Sequence, residues 1–476
     1  MNMYLKMPVF FFISDITAVK KSRFGTVDSE SSGSTQKNVL KEEFYRTCIL
    51  ICGKIPLWWL CYDEILQIDY KKAISAIKKK EYKDNDLIDF GNLEYIENNE
   101  YFGAALWQFH KSLTHPLKSI IKMVLLKMLL DAPREGLLCH QFRKQVLSTK
   151  NHSLFPDYNI FTMSSILNYY KDKSKKALNF LLECFYLRCE IKPYDKTQKL
   201  KNKLVDDFFN QYQMDRKTRI RLSNFVSWRY DSQIELGNRI SGLLFQIYNE
   251  IAAANSGIVS ESNEKDLTIL GRKVSACYLK KEYKIPVIQK PTHTLNLSDL
   301  TLSLNGEVWD IFSANEKSDP VASSKDIIYN IAFLVWNNLF AANKIYVKPN
   351  PSGITLQEII NLGIRMKNFF GTYDTLDIEL SHYLQKEHIT KLLVIVSFEN
   401  SPWEKNIDNF GIVYNSSWGE LFVRRFNSIP ELKVFLKNAG IDKWNIGTSY
   451  YVRRNSSSYE KIIERTKKII LSSIKS

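Results

Sequence analysis

The segment Gly33-Ser34-Thr35-Gln36 combines residue types that bind phosphate groups. Glycine allows close approach of the backbone, and the two hydroxyl groups can donate hydrogen bonds to phosphate oxygens. Ser34 or Thr35 would equally serve as the N-cap of a following helix. The two interpretations are compatible, because the N-terminus of a helix attracts anions. We therefore predict phosphate contact by this segment, with a helix cap as the alternative.

Arg46 and Lys54 follow this segment and add two positive charges. Apolar residues from Val39 to about Trp59 recur at helical spacing and predict a helix. Eight residues are close to two helical turns, so the two side chains would share a face roughly 12 Å apart. There they would neutralise phosphate groups. Ordinary salt bridges at the surface are the alternative interpretation.

Two acidic pairs have the spacing of a metal site on a strand, where alternate residues share one face. Asp84-Asn85-Asp86 follows three lysines in a polar turn, and we interpret it as a solvated loop. Asp377 and Glu379 alternate with apolar residues, a pattern typical of a strand. For this second pair, the polar face of a surface element is the preferred interpretation. We therefore assign no metal ligands from the sequence.

The composition predicts a globular chain with packed cores. Its 476 residues are 45% hydrophobic and 25% charged, which argues against disorder. The net charge of +15 suits polyanionic partners, but lysine-rich surfaces produce the same excess without such a partner. Seven cysteines form no Cys-x-x-Cys pair, and we expect reduced thiols. No stretch reaches the roughly 20 apolar residues that cross a bilayer, so we expect a cytoplasmic protein.

Hydrophobic periodicity divides the chain into a helical part and a mixed part. Residues 7–15 predict a strand, and residues 25–36 a polar loop. The pattern is helical almost throughout residues 64–290. The clearest amphipathic segments are Tyr101–Leu113, Leu117–Leu130, Lys175–Cys189 and Ile234–Ala254.

Beyond Pro286 and Pro291 the period changes to that of strands. Leu300–Leu304 and Glu307–Phe312 predict a hairpin, because the intervening Asn305-Gly306 tolerates positive φ. The other predicted elements are helices at Ile327–Ala341 and Tyr459–Ile474 and strands at Lys344–Val347, Lys391–Phe398, Phe410–Tyr414 and Gly419–Phe426. The predicted fold class is α+β, with domains at 1–60, 61–285 and 286–476.

The residues from Glu100 to Lys111 read EYFGAALWQFHK. They resemble the first signature of the class I adenylate cyclases, E-Y-F-G-[SA]-[SA]-L-W-x-L-Y-K, and depart from it only at Phe109 and His110. Small residues in the middle of this segment predict tight helix packing. Further stretches similar to the same family are Gly33–Gln36, Glu43–Thr47, Gly53-Lys54, Cys184–Leu187 and Asp266–Lys273.

The second signature of that family is half kept. Its final Gly is replaced by Ser428. The residues that fit it are Tyr414, Trp418, Glu420, Leu421 and Phe426. These matches occur in family order along nearly the whole chain, so we identify the chain as a member of the bacterial class I adenylate cyclase family, of enterobacterial type.

The resemblance implies a lyase that converts ATP to 3′,5′-cyclic AMP and pyrophosphate. For that reaction the triphosphate-binding candidates are the residues singled out above by their chemistry: Gly33, Ser34, Thr35, Gln36, Arg46 and Lys54. The resemblance also implies Mg²⁺ or Mn²⁺, held by a G-S motif followed by D-x-D on a nucleotidyltransferase-like sheet. We expect residues 1–60 to be the remnant of that domain. Asp15 would lie near the metals of a complete enzyme or cap the next turn.

The G-S…D-x-D motif is missing from this sequence, and we expect a chain truncated at both ends relative to full-length members. Its predicted activity is therefore weak or lost. The alternative is a non-catalytic nucleotide-binding or interaction remnant of a cyclase. ATP is the expected partner, and a separately encoded N-terminal segment is a further candidate. No membrane span and no specific nucleic-acid binding are expected.

Overall fold

The structure is a computed structural model. Apart from the isolated positions 75 and 77, it describes residues 37–47, 53–61, 86–132, 136–149, 157–190, 199–254, 264–291, 299–313, 319–373, 378–398, 409–439, 446–452 and 459–475. The predicted strand at 7–15 and loop at 25–36 lie outside the described residues, as do Asp15 and Gly33-Ser34-Thr35-Gln36. Helices and two four-stranded mixed sheets confirm the α+β class.

Contacts divide the described residues into two compact units. Unit 1 contains the described residues up to Ser223 and those of 240–266, and unit 2 contains residues 224–239 and the described residues from 267 onward. The three-domain division with boundaries after residues 60 and 285 stays a prediction.

Unit 1 is helical, with one short parallel pair of strands, β1 (Ile55–Pro56) and β2 (Leu87–Ile88). Its helices are α1 (Lys37–Thr47), α2 (Leu57–Leu60), α3 (Asn98–Lys111), α4 (Pro116–Asp131), α5 (Leu138–Ser148), α6 (Tyr158–Lys171), α7 (Lys175–Cys189), α8 (Lys199–Gln211), α9 (Arg216–Ser223) and the part of α10 (Tyr230–Ala253) from Ile240 onward. The four amphipathic segments singled out in the sequence are confirmed as α3, α4, α7 and α10. No described helix is both long and apolar enough to cross a membrane.

The single helix predicted from Val39 to Trp59 is wrong. Helix α1 ends at Thr47, and the chain reaches Trp58 through strand β1 and the short helix α2. Gly53 has a φ of 96°, which lies in the left-handed region and is incompatible with a continuous helix. The apolar spacing therefore reflected two buried segments rather than one helix.

The segment from Glu100 to Lys111 packs as its small residues predict. Ala104 and Ala105 are fully or almost fully buried where α3 lies against α4. Pro116 is the first residue of α4, a position where its missing N–H costs no hydrogen bond. Helix α3 also contacts α10 through an edge-to-face pair of Phe109 and Phe245, whose ring centroids are 4.8 Å apart.

Unit 2 contains two four-stranded sheets. One has the order β5-β4-β3-β6 and the other β10-β7-β8-β9. The strands are β3 (Leu300–Asn305), β4 (Val308–Ser313), β5 (Ala322–Ser324), β6 (Ile345–Val347), β7 (Ile389–Val396), β8 (Phe410–Ser416), β9 (Leu421–Phe426) and β10 (Gly447–Val452). The helices are α11 (Glu264–Tyr278), mainly in unit 2, α12 (Ile327–Trp336), α13 (Leu356–Phe370), α14 (Ile429–Asn438) and α15 (Tyr459–Lys475).

The predicted hairpin is confirmed: β3 and β4 pair in antiparallel register, and Gly306 has a φ of 62°. The predicted strand pair β8 and β9 is also confirmed. Helix α12 ends at Trp336, five residues before the predicted Ala341. Asn338 has a φ of 58°, and asparagine is among the few residues that tolerate this left-handed conformation after a helix.

Alternation along β7 builds two cores. Leu392 and Val394 belong to a cluster with residues of α14 and α15. Leu393 and Ile395 belong to a second cluster with residues of α12, α13 and the other sheet. Successive side chains of a strand point to opposite faces, so a nearly continuous apolar run is the pattern of a strand buried on both sides.

Candidate substrate-binding region

Helix α1 directly follows the predicted phosphate segment in the sequence. Its C-terminal end carries Arg46, which is only 5% exposed. The guanidinium Nε lies 3.0 Å from Oε1 of Glu42, and Nη1 donates to Oγ1 of Thr162 at 2.7 Å. Burial disfavours the charged guanidinium, but the Glu42 carboxylate outweighs it and raises the pKa of Arg46. The salt bridge is therefore present, in the interior rather than at the surface.

Glu42 is the second half of this interior ion pair. It is 2% exposed, and its Oε1 also accepts a hydrogen bond from the backbone N–H of Cys139 at 3.1 Å. Each oxygen of the carboxylate therefore has a partner, as a buried charge requires. The pair ties α1 to α5 and α6.

Lys54 lies in a different environment. It is exposed and stands outside any helix, just before strand β1. Lys54 and Arg46 therefore do not lie on one continuous helix, and the prediction that their side chains share a helix face is wrong. Contact of either residue with a triphosphate remains a prediction.

Aromatic stacking supports α1 from one side. The Tyr45 and Trp58 rings are stacked with centroids 4.3 Å apart and an interplanar angle of 5°. The guanidinium carbon of Arg143 lies 3.8 Å from the Trp58 ring centroid, a close cation–π contact. The Tyr45 hydroxyl donates to the carbonyl of Gly91 at 2.5 Å. Sequence reasoning missed this cluster; the adjacent Trp58 and Trp59 were its only local signal.

Glu100 contacts the opposite, N-terminal end of α1. Its Oε2 accepts from the backbone N–H groups of Asn38 at 2.6 Å and Val39 at 3.2 Å, and its Oε1 accepts from Nδ2 of Asn38 at 2.7 Å. Burial raises the pKa of Glu100, and the hydrogen bonds from Asn38 and Val39 oppose that effect. Sequence reasoning missed this role, because it assigned the EYFGAALW segment to packing alone.

The acidic pairs do not assemble a metal site in the part of the chain that is described. Asp86 and Glu379 are exposed, and Glu379 directly precedes a 3₁₀ helix instead of lying in a strand. Their predicted companions Asp84 and Asp377 fall outside that part. Within it, no group of three or more His, Cys, Asp or Glu side chains is placed to hold a metal ion. The described members of the two pairs, Asp86 and Glu379, therefore belong to no such group.

A second charged cluster lies in unit 2, where two family-like stretches meet. Glu420 is 1% exposed, and its oxygens lie 2.6 Å from Nζ of Lys281 and 3.0 Å from Nζ of Lys284. Lys281 also pairs with Glu387 at 2.9 Å. Burial and the neighbouring Glu387 raise the pKa of Glu420 to about 7. The cluster fastens the segment after α11 to the turn between β8 and β9.

Trp418 covers this cluster. Its ring centroid lies 5.0 Å from the guanidinium carbon of Arg272 and 5.5 Å from Nζ of Lys281. Its indole N–H donates to the carbonyl of His382 at 3.1 Å. Residues of the second signature and of the stretch ending at Lys273 therefore contact each other through charge and aromatic packing.

Two family models match this chain, and the match to an N-terminal domain comes before the match to a second domain. A model described as the adenylate cyclase NT domain matches residues 2–59, and one described as the second domain of class-I adenylate cyclase matches residues 96–289. The chain is therefore of the adenylate cyclase class. It belongs to the class I adenylate cyclase family.

Several enterobacterial proteins named adenylate cyclase are similar to this chain. The Salmonella typhimurium protein is 23% identical over 91% of this chain and 56% of its own length. The Escherichia coli O6:H1 protein is 24% identical over 73% of this chain and 43% of its own length. The Proteus mirabilis protein is 22% identical over 91% of this chain and 55% of its own length. The chain thus spans about half the length of the curated relatives it matches. No solved structure matches it.

Proposed function

We propose that this chain serves adenylate cyclase chemistry, the conversion of ATP to 3′,5′-cyclic AMP and pyrophosphate. The observation that carries the proposal is the match of two successive class I cyclase domains to residues 2–59 and 96–289. The proteins named adenylate cyclase that align with 91% of the chain give further support. The proposed location is the cytoplasm.

The reaction is an intramolecular displacement at the α-phosphorus. The ribose 3′-hydroxyl attacks Pα, and the O3′–Pα bond forms as the hydroxyl proton is released. The bond between Pα and the oxygen that bridges the α- and β-phosphates breaks, and pyrophosphate leaves. We propose that Gly33-Ser34-Thr35-Gln36 and Lys54 contact the triphosphate through hydroxyl and ammonium donors. Arg46 is a further candidate, but contact with phosphate would require its release from Glu42. Asp15 is a candidate for a position near the reacting phosphate.

We propose that these 476 residues on their own cyclise ATP weakly or not at all. Phosphoryl displacement of this kind relies on divalent ions held by carboxylate oxygens. We interpret no part of the sequence as a G-S turn followed by D-x-D on a strand, because Asp84-Asn85-Asp86 is predicted to be a polar loop. Residues 1–60 are nevertheless proposed to be the remnant of a nucleotidyltransferase-like domain. A separately supplied N-terminal segment that carries those carboxylates is the proposed partner.

The activity test is direct. The purified chain is incubated with ATP and Mg²⁺ or Mn²⁺, and cyclic AMP is measured by mass spectrometry. We expect turnover near background. Efficient turnover would contradict the proposed dependence on ligands outside this chain and would confirm the reaction itself.

The binding test separates a nucleotide-binding chain from one without nucleotide function. ATP affinity is measured by calorimetry in EDTA for the wild-type chain, Lys54→Ala and the control Lys144→Ala, since Lys54 and Lys144 are both exposed lysines of unit 1. We expect Lys54→Ala to weaken ATP binding about tenfold, the worth of one charge-assisted hydrogen bond, and Lys144→Ala to leave it unchanged. Absence of ATP binding to the wild-type chain would refute the proposal.

A further inference from the structure

Four cationic side chains of unit 1 meet where three of its helices pack together. Helix α4 contacts both α3 and α7. The four side chains, which we call the cationic cluster, are Lys111 at the end of α3, Lys118 and Lys122 on α4, and Arg188 in the last turn of α7. The carboxylate beside them is Glu43 of α1, whose Oε1 lies 2.7 Å from Nζ of Lys122.

Lys118 and Arg188 lack the ion pair that Lys122 has. No carboxylate of the described residues lies within salt-bridge distance of either side chain. Lys118 and Lys122 are four residues apart on α4, so these like charges lie on one face of the helix with their Cβ atoms about 6 Å apart. Glu43 therefore has to serve several cations at once.

Two arginines of unit 1 show what a counter-ion changes. Arg46 is buried against Glu42, and this carboxylate raises its pKa. Burial lowers the pKa of Arg188, and the more distant carboxylates Glu43 and Glu190 oppose the effect only in part. Arg188 is thus a half-buried cation whose lost hydration is not replaced by a direct ion pair.

Lys118 shows the same imbalance on α4. Its side chain is exposed, yet partial desolvation and the positive charges of Lys122 and Arg188 lower its pKa. Like charges held together in this way repel each other. The described acidic residues leave that repulsion uncompensated, whereas a bound anion would remove it.

Phosphate groups suit this arrangement better than a carboxylate does. A guanidinium group can bind two oxygens of one phosphate, and lysine ammonium groups act as point charges for the others. The cations are distributed over α4 and α7 rather than placed around one point. Two or three linked phosphate groups can contact both helices at once, which a single phosphate does less well.

We propose that the cationic cluster binds the linked phosphate groups of a polyphosphate anion. Arg188 and Lys118 are its principal ligands, and Lys122 is shared with Glu43. The naming of the ligand rests on the proposed function, because ATP and pyrophosphate are the polyphosphates of the proposed reaction. All the residues of this site lie within the described part of unit 1.

The test measures pyrophosphate binding by calorimetry in EDTA at about 150 mM salt, which screens distant surface charges. The variants are Arg188→Gln and Lys118→Gln, in which a neutral side chain replaces a cation. Their matched controls are Arg216→Gln and Lys144→Gln, which remove the same charges from exposed positions of α9 and α5.

We expect Arg188→Gln to weaken pyrophosphate binding about tenfold and Lys118→Gln about fivefold, and the controls to change it less than about twofold. Equal weakening by Arg188→Gln and Arg216→Gln would attribute binding to the general charge and overturn the site. Should Arg188→Gln fail to fold by circular dichroism, Lys118→Glu takes its place at an exposed position. A folded Lys118→Glu protein that binds pyrophosphate as tightly as the wild type would also overturn the site.

Glu43→Gln tests the site with the opposite sign. It removes the carboxylate that competes with an anion for Lys122, so we expect pyrophosphate binding to strengthen about threefold. Weaker binding in this variant would contradict an anion site beside Glu43.

Urea denaturation without any anion distinguishes a binding site from a purely structural cluster. Lys118→Gln relieves repulsion with Lys122, so we expect this variant to be at least as stable as the wild-type chain. Lower stability together with unchanged pyrophosphate affinity would overturn the proposal in favour of a structural role.

ATP titrated into the same proteins identifies the occupant. A parallel loss of ATP affinity in Arg188→Gln would assign the site to the triphosphate of ATP, and loss of pyrophosphate affinity alone would assign it to free pyrophosphate. A wild-type chain that binds pyrophosphate through the cluster but binds no ATP would refute the proposed function and leave this site intact. A wild-type chain that binds neither would overturn both.

Discussion

At the scale of single residues, burial decides what an ion pair contributes. Arg46 and Glu42 are 5% and 2% exposed, whereas Lys122 and Glu43 form a pair with side chains that are 27% and 37% exposed. Removing one partner of a buried pair leaves a charge without solvent or counter-ion, while an exposed pair is compensated by water. Both pairs involve α1, so they form an internal comparison.

We therefore expect Arg46→Ala to lower the free energy of unfolding by about 3–5 kcal/mol and Lys122→Ala by about 1 kcal/mol or less. Urea denaturation followed by circular dichroism measures both. Equal effects would show that the interior position of Arg46 is wrong. The comparison also affects how ATP measurements are interpreted. Loss of ATP binding in Arg46→Ala would be explained by loss of folding and would not identify a contact between Arg46 and phosphate.

The Glu420 cluster makes stability depend on pH. Its folded-state pKa of about 7 lies above the usual value of 4.5, so its contribution is present below about pH 4.5 and is lost as the pH rises toward 7. Lys284→Met removes one of its two cations and shifts this pKa further upward. We expect the loss of stability to be about 1 kcal/mol greater at pH 8 than at pH 5, where Glu420 is protonated and needs no cation; at pH 8 protonation of Glu420 limits the cost of the missing cation.

The measurement is urea denaturation at both pH values, with the exposed Lys280→Met as control. Lys280→Met should change stability little at either pH. A Lys284→Met loss that is the same at pH 5 and pH 8 would contradict the assignment of a titrating, buried carboxyl group at position 420.

Sequence reasoning identified residue types at this scale but not their partners. The i, i+4 spacing of Glu42 and Arg46 was visible in the sequence, yet Thr162 lies 116 residues away. Likewise, Glu100 stood in a recognised signature, but its contact with α1 crosses 62 residues. Such contacts depend on the tertiary fold, which local spacing does not encode.

At the scale of elements, hydrophobic period predicted the helical character of residues 64–290 and the strands β3, β4, β6, β7, β8 and β9. It did not single out helices α13 and α14 or strands β5 and β10. Helix α7 begins and ends at the predicted residues, and the hairpin at Asn305-Gly306 is confirmed. The prediction failed between Val39 and Trp59, where short apolar runs do not distinguish a helix from a strand and turn. Backbone conformation at Gly53 decided the outcome.

Two glycines inside helices of unit 2 should respond to alanine in opposite ways. A Cβ at Gly363 in α13 would lie 2.1 Å from a ring carbon of the buried Phe340, whereas a Cβ at Gly271 in α11 would meet nothing within 4 Å. We expect Gly363→Ala to destabilise by about 1–3 kcal/mol through overpacking. Gly271→Ala should stabilise by about 0.5–1 kcal/mol, because alanine loses less backbone entropy.

Thermal and urea denaturation of the two alanine variants checks this contrast. Both substitutions add the same methyl group to a helix, so a difference in sign isolates the close contact with Phe340. Two stabilised variants would mean that α13 does not approach Phe340 as the structure describes.

At the scale of the whole molecule, the net charge of +15 creates an attraction for any polyanion. The basic residues are distributed over many elements: α9 contains Arg216, Lys217, Arg219 and Arg221, while α15 contains Lys461, Arg465, Lys467 and Lys468. A distributed charge attracts the phosphate backbone of nucleic acid without reading its sequence. Charge alone therefore does not identify a substrate.

We consequently expect binding to duplex DNA that is independent of sequence and falls steeply with salt. Fluorescence anisotropy with two unrelated duplexes at 50 and 200 mM salt measures both properties. ATP binding through a few directed contacts should lose much less affinity over the same range, since the salt dependence grows with the number of phosphates neutralised. A strong preference for one duplex would instead indicate a specific nucleic-acid site. ATP affinity that falls as steeply as DNA affinity would attribute ATP binding to the general charge and remove the support for a defined triphosphate site.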